Sequence, residues 1–141
     1  VPNSIRNTYS MYSDIDKDEY DSVISKLEIS PIEYLRNKYQ RIKDFYDEDK
    51  KISINDFMAI EEYIEVNESF DLYEELSKLA FEEYPETILP SYYKGRFFEE
   101  TGSPEKAMHI YRSAYNMNEV EGLTKEYLLE IAERIKEDFN Y

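Results

Sequence analysis

Asp14-Ile-Asp-Lys-Asp18 sets carboxylates at alternate positions, as a calcium-binding loop does. An EF-hand loop starting at Asp14 needs glycine at its sixth position for the sharp turn and a bidentate glutamate at its twelfth. Those positions hold Glu19 and Ser25, so these acids read as caps on a helix N-terminus, where unsatisfied N–H groups favour negative charge. The pairs Glu61/Glu65 and Glu62/Glu65 could approach a divalent cation. Helix-borne acids without histidine or loop carbonyls make flexible cages, however, and a solvated acidic face is the better reading. His109 is the single histidine and brings no evident catalytic partner. No Gly-x-Ser-x-Gly elbow occurs, and three glycines are too few for a phosphate-cradling loop. Cysteine is absent, which excludes disulfides, thiol nucleophiles and thiolate metal sites. The expectation is a segment without catalytic residues, metal or cofactor.

The elements that would position any binding side chains follow from composition. A chain of 141 residues suits one compact unit burying roughly two thirds of its unfolded surface. With 32 acidic against 17 basic residues the formal charge is -15. That balance argues against nucleic acid and against an anionic membrane surface, both of which demand a positive footprint. No apolar run reaches membrane-spanning length and no signal-peptide core is present, so the expectation is a soluble chain of undetermined compartment. Its first residue is Val1, which points to a processed or excised segment. Few glycines and many Glu, Lys and Leu favour an all-α domain, with the 15 tyrosines burying rings while their hydroxyls stay wet.

Periodicity then places the helices. Ile5, Tyr9 and Tyr12 mark a short one from about Ser4, and Tyr20, Val23, Ile24 and Leu27 mark another over about Lys17 to Leu27. Ser30-Pro31-Ile32-Glu33 combines an N-cap serine, a first-turn proline and a glutamate three residues on, a capping box. Ile32, Leu35, Tyr39, Ile42, Phe45 and Tyr46 follow on one face. Ser53 and Asp56 start the next helix, with Phe57, Ile60 and Ile64 inward and Met58 or Val66 beside them, ending near Asn67. Leu72, Tyr73, Leu76, Leu79, Ala80 and Phe81 make another that stops before Pro85. Thr124 caps a last helix bearing Tyr127, Leu128, Ile131, Ile135 and Phe139.

Between these lies the stretch Tyr92 to Tyr115, two short helices joined at Gly102, with Ser103 as N-cap and Pro104 at the first helical position. Gly95, Phe98, Ala107, Tyr111 and Ala114 stand at the offsets of the tetratricopeptide repeat, and the stretch resembles that family. Ser91 replaces the usual aromatic of the first helix, with Tyr92 and Tyr93 adjacent, and Glu119 replaces the terminal proline. A more degenerate copy precedes it. Ala80 lies 34 positions before Ala114, Ile64 matches Phe98, Leu76 matches Ile110, Phe81 matches Tyr115, and Pro85 falls at the terminal proline. Glu61 opposite Gly95 and Tyr73 opposite Ala107 imply looser packing in that copy. The resemblance implies antiparallel helical hairpins stacked as a short solenoid over residues 51–141, a C-terminal capping helix, and an N-terminal helical segment over residues 1–50. In this register His109 lies between Ala107 and Tyr111, on the surface or in a groove.

Repeats of this family form a concave surface from their first helices. The resemblance places Asn55, Met58, Glu62 and Glu65 of the first unit there, with Leu89, Tyr92, Arg96 and Glu99 of the second. These residues either bind a protein or peptide or simply line solvent or an adjoining domain. With only Arg96 positive, the groove fits a basic or aromatic-compatible peptide better than an acidic tail. Val1 to Tyr12 and Ile32 to Tyr39, with the repeats behind them, also resemble bacterial esterase-D-like hydrolases, in which an α/β-hydrolase domain precedes a helical tail. That likeness implies a catalytic histidine just before Val1 and its serine and aspartate partners farther upstream. The expected function is a non-catalytic interaction or accessory domain, the C-terminal part of a larger bacterial hydrolase. The alternatives are a freestanding peptide-binding adaptor and a lid over a hydrolase active site.

Overall fold

Ser30 begins the first described helix in the manner its neighbours dictate. Its backbone is extended, its Oγ accepts from Glu33 N at 3.1 Å, and Pro31 follows in the first turn, where a missing N–H costs nothing. The computed structural model describes Ser22 and residues 29–141. The helices expected from Ser4 and over Lys17 to Leu27, and the acids of Asp14 to Asp18, lie outside the described residues. Among the described residues the elements are α1 (Pro31–Phe45), α2 (Ile54–Asn67), α3 (Leu72–Glu83), α4 (Leu89–Glu100), α5 (Pro104–Ser113), a 3-10 turn (Ala114–Asn116) and α6 (Lys125–Phe139), with no strand. The chain is all-α, a succession of helical hairpins.

Backbone proximity divides the chain into two compact units, with the division between Ser69 and Phe70. The boundary expected at residue 50 falls in the connector between α1 and α2, inside the first unit. In that unit Ser53 caps α2 by accepting from Asp56 N at 3.1 Å. Phe57, Ile60 and Ile64 are fully buried, as are Ile32, Leu35 and Tyr39 of α1. A polar contact ties the two helices. The Tyr39 hydroxyl donates to Asp56 Oδ2 at 2.7 Å and accepts from Ser53 N at 3.1 Å, and Lys38 Nζ lies 3.8 Å from the same carboxylate. Asp56 has no solvent exposure, and a buried charge survives only with such partners. The α2 helix closes on Glu68 in the left-handed region (φ 52) rather than on a glycine.

In the second unit each helix packs on its sequence neighbour, α3 on α4, α4 on α5 and α5 on α6. Gly102 supplies the left-handed turn (φ 93) that sends the chain from α4 back along α5. Ser103 stands at the N-cap with Pro104 behind it, but its side chain makes no capping bond, because its backbone (ψ 60) leaves the extended geometry that Ser30 and Ser53 adopt. Thr124 caps α6 as expected, its Oγ1 accepting from Tyr127 N at 3.2 Å. A backbone clasp joins the connector before α4 to the segment after the 3-10 turn. Ile88 N donates to Asn118 O at 2.8 Å, and Asn118 N donates to Glu86 O at 3.1 Å.

The apolar stripes overreach in places. Phe45 and Tyr46 are 76% and 87% exposed, and Val66, Phe81, Tyr127 and Phe139 are exposed as well. Helical spacing marks a face, but only a neighbour can cover it, and α1 has no buried residue after Tyr39. The tyrosines correct a second expectation. Tyr39, Tyr73, Tyr93 and Tyr111 are wholly buried, and the Tyr39 and Tyr111 hydroxyls bond to carboxylates.

Candidate functional site

At Gly95 the Tyr111 ring of α5 lies directly against the backbone of α4. A Cβ at this position would lie 2.6 and 2.7 Å from Cζ and Cδ1 of Tyr111, too near for any real contact, so only glycine admits the ring. Ala107 and Ala114, both buried, keep the rest of the seam shallow. The Tyr111 hydroxyl then reaches across to Glu99 Oε1 at 2.9 Å. Arg96 brings Nη1 to the same oxygen at 3.1 Å and Nη2 to Glu100 Oε2 at 2.9 Å, while its guanidinium lies 5.6 Å from the Tyr73 ring centre. Arg134 of α6 approaches Glu99 Oε2 at 3.5 Å. Burial first, and then the Glu99 charge and hydrogen bond, hold the Tyr111 phenol far above its usual pKa, with Arg96 pulling weakly the other way. Tyr111 is therefore a neutral donor at any physiological pH.

A run of rings flanks this network. Tyr73 stacks on Tyr93 at 6.1 Å between centroids, Tyr93 tilts against Tyr92 at 5.2 Å, and Tyr92 meets Tyr127 of α6 at 6.2 Å. Such pairs add about 0.5–1.5 kcal/mol each beyond the area they bury. They join α3, α4 and α6 through one aromatic seam.

The residues expected on a concave surface are placed as follows. On α2, Asn55, Glu62 and Glu65 are exposed and Met58 is half-buried. On α4, Leu89 is fully buried and Tyr92 nearly so, and both serve the core rather than a ligand surface. Arg96 and Glu99 are mostly covered and bound to one another. The α4 positions are thus occupied by interactions within the unit, and the reason is visible in the partners: Tyr73, Tyr111, Tyr127 and Arg134 all converge on them. His109 is exposed, as anticipated from its register. Among the described residues no group of three or more His, Asp or Glu is placed to hold a metal ion.

Open space lies elsewhere, in a groove of about 560 Å³ between α3 and the start of α4. Ser77, Lys78, Phe81 and Glu82 line it from α3, with Pro85 following; Pro90, Ser91 and Lys94 line it from α4, and Met117 closes one end. Ser91 Oγ sits 3.8 Å from Met117 Sδ, a weak contact that holds the end wall. Phe81, expected to point inward, is 61% exposed here. The spacing of Lys78, Phe81 and Glu82 at i, i+3 and i+4 was the available signal for a shared outer face. The apolar stripe of α3 masked it by claiming Phe81 for the core.

The fold recurs in a solved structure. An uncharacterised protein from Capnocytophaga ochracea DSM 7271 superposes with a TM-score of 0.73 at 25% sequence identity, over 89% of this chain. The chain spans about a third of that protein's length, 35%. No protein-family model matches the chain, and no curated protein matches it in sequence. Among the described residues no helix is long and apolar enough to cross a membrane.

Proposed function

We propose that this chain is a non-catalytic, tetratricopeptide-like interaction or accessory module that holds a segment of another protein. The observation that carries the reading is burial that agrees one period apart at three positions, although Ile64 and Leu76 are buried more deeply than Phe98 and Ile110. Ala80 and Ala114 are both buried, Tyr73 and Ala107 are both buried, and Phe81 and Tyr115 are both exposed. A repeat register supports this agreement because each unit presents the same faces to its neighbours and to solvent. The groove beside Phe81 then supplies a surface shaped for a peptide. The partner is a protein or peptide, with nucleic acid and anionic membrane disfavoured by the formal charge of -15.

A peptide-display selection on the full chain tests this. At least one family of linear peptides should enrich and bind with micromolar affinity in solution. A folded chain that enriches no peptide family would remove the freestanding-adaptor reading.

A second reading has its own support. The chain matches 35% of a longer protein, which favours an accessory domain attached to another domain, as the esterase-like resemblance implies. Under either reading the 141 residues carry no nucleophile elbow. The purified chain should leave p-nitrophenyl acetate unhydrolysed above the buffer rate. Turnover that copurifies with the folded protein through successive columns would overturn the non-catalytic assignment.

A further inference from the structure

We propose that the groove between α3 and α4 docks an acidic peptide segment that carries one bulky apolar side chain. The inference rests on the interaction reading above and names its partner chemistry. It also departs from the charge preference expected from the concave positions, because those on α4 are internally engaged and the open groove lies beside α3 instead.

The apolar part comes from Phe81, Pro85, Pro90 and Met117, four of the nine residues that line the groove. Phe81 is exposed for more than half of its surface, an unfavourable state for a phenyl ring beside a cavity of this size unless something covers it. The charge comes from Lys78 and Lys94, one from each helix, both exposed. Most other cations of the second unit are engaged, and the exception, Lys136 of α6, does not line the groove. Arg96, Arg112 and Arg134 pair with glutamates, and Lys106 and Lys125 lie over the rings of Phe98 and Tyr115. Among the described residues neither Lys78 nor Lys94 joins an ion pair, and both flank the same apolar groove. On a chain of net charge -15 this is a local reversal of sign. The first turn of α4, which brings Pro90 and Ser91 to the groove, carries no acidic residue, while Glu82 is the groove's one acid. An acidic ligand is therefore drawn to the two lysines, and its apolar side chain shields Phe81. A basic segment would leave both lysines opposed by like charge.

The test uses the full chain and three short fluorescein-labelled probes. One is built of Asp and Glu around a central Phe; one keeps the Phe but replaces the acids with Lys; one keeps the acids but replaces the Phe with Ala. The acidic Phe probe should bind about tenfold or more tighter than either comparator, since burying a phenyl ring and reversing two charges are each worth that much. Amide resonances of Lys78, Phe81, Lys94 and Met117 should shift on binding. The double variant Lys78→Gln/Lys94→Gln should weaken it roughly fivefold and flatten its salt dependence. Phe81→Ser should weaken it roughly tenfold. All three side chains are exposed, so circular dichroism should show these variants folded. The proposal would be overturned by no binding of the acidic Phe probe up to roughly 1 mM, by equal binding of the Lys probe, or by resonance shifts confined to other helices. A concentration-dependent dimer abolished by Phe81→Ser would likewise overturn it, giving the groove to a second copy of the chain. Each of these leaves the broader interaction reading standing, because the display selection decides that separately.

Discussion

Leaving a buried phenol hydroxyl without an acceptor is costly, and one tyrosine in each unit of this chain meets that cost with a carboxylate. Tyr39 uses Asp56 and Tyr111 uses Glu99. For Tyr111 the arrangement has a pH signature. The folded state holds the phenol protonated well above the value of about 10 at which it ionises in the unfolded chain. Its contribution to stability is fully present below pH ~10 and is lost as pH rises beyond it, at up to about 1.4 kcal/mol per pH unit. Comparing urea midpoints between about pH 9 and 11, Tyr111→Phe should show a shallower decline than the parent; parallel declines would show that Tyr111 ionises as readily when folded. The same ring sets the outcome at Gly95. Gly95→Ala gains about 1 kcal/mol of helix propensity. It also drives a methyl group into a buried, hydrogen-bonded ring that cannot swing aside, at a cost of about 1–3 kcal/mol. Net destabilisation is expected in chemical denaturation, and a stabilised variant would show that α4 and α5 separate easily.

At the scale of the elements, helix starts were the most legible feature, and the capping serines show why a residue type is not yet a cap. Ser30, Ser53 and Thr124 are followed by the backbone geometry that lets their oxygens reach back to an N–H, and Ser103 is not. Thr124→Ala should therefore cost about 1 kcal/mol. Ser103→Ala should stay within about 0.5 kcal/mol, because no capping bond is lost. Equal losses in paired thermal melts would contradict that contrast. The stripes of α1 and α3 were legible as faces but not as interiors. Phe45 and Phe81 obey the helical period and remain in solvent, since periodicity says which side a residue shares and nothing about what lies opposite.

For the whole molecule the formal charge of -15 is the dominant long-range term. Like charges spread over a small surface destabilise the compact state, and salt screens them over about 10 Å at 0.1 M. Raising NaCl from about 10 to 150 mM should raise the melting temperature by on the order of 2–5 °C. A melting temperature that falls would mean that ion pairs such as Arg96–Glu100 outweigh the general repulsion. What the sequence by itself determined was local: the all-α class, helix starts at Ser30, Ser53 and Thr124, the Gly102 turn, and the need for a small residue at Gly95. Each of these is decided by hydrogen bonds and sterics within a few residues, and at Gly95 by the absence of a side chain that would bar a close approach. What only the tertiary structure decided was which faces are covered. It buried Leu89 and Tyr92, engaged Arg96 and Glu99 through Tyr73, Tyr111 and Arg134, and left Lys78, Phe81 and Lys94 around open space. The physical reason is that desolvation and ion pairing depend on partners brought in from distant positions. No spacing along one helix encodes which residue will arrive from another.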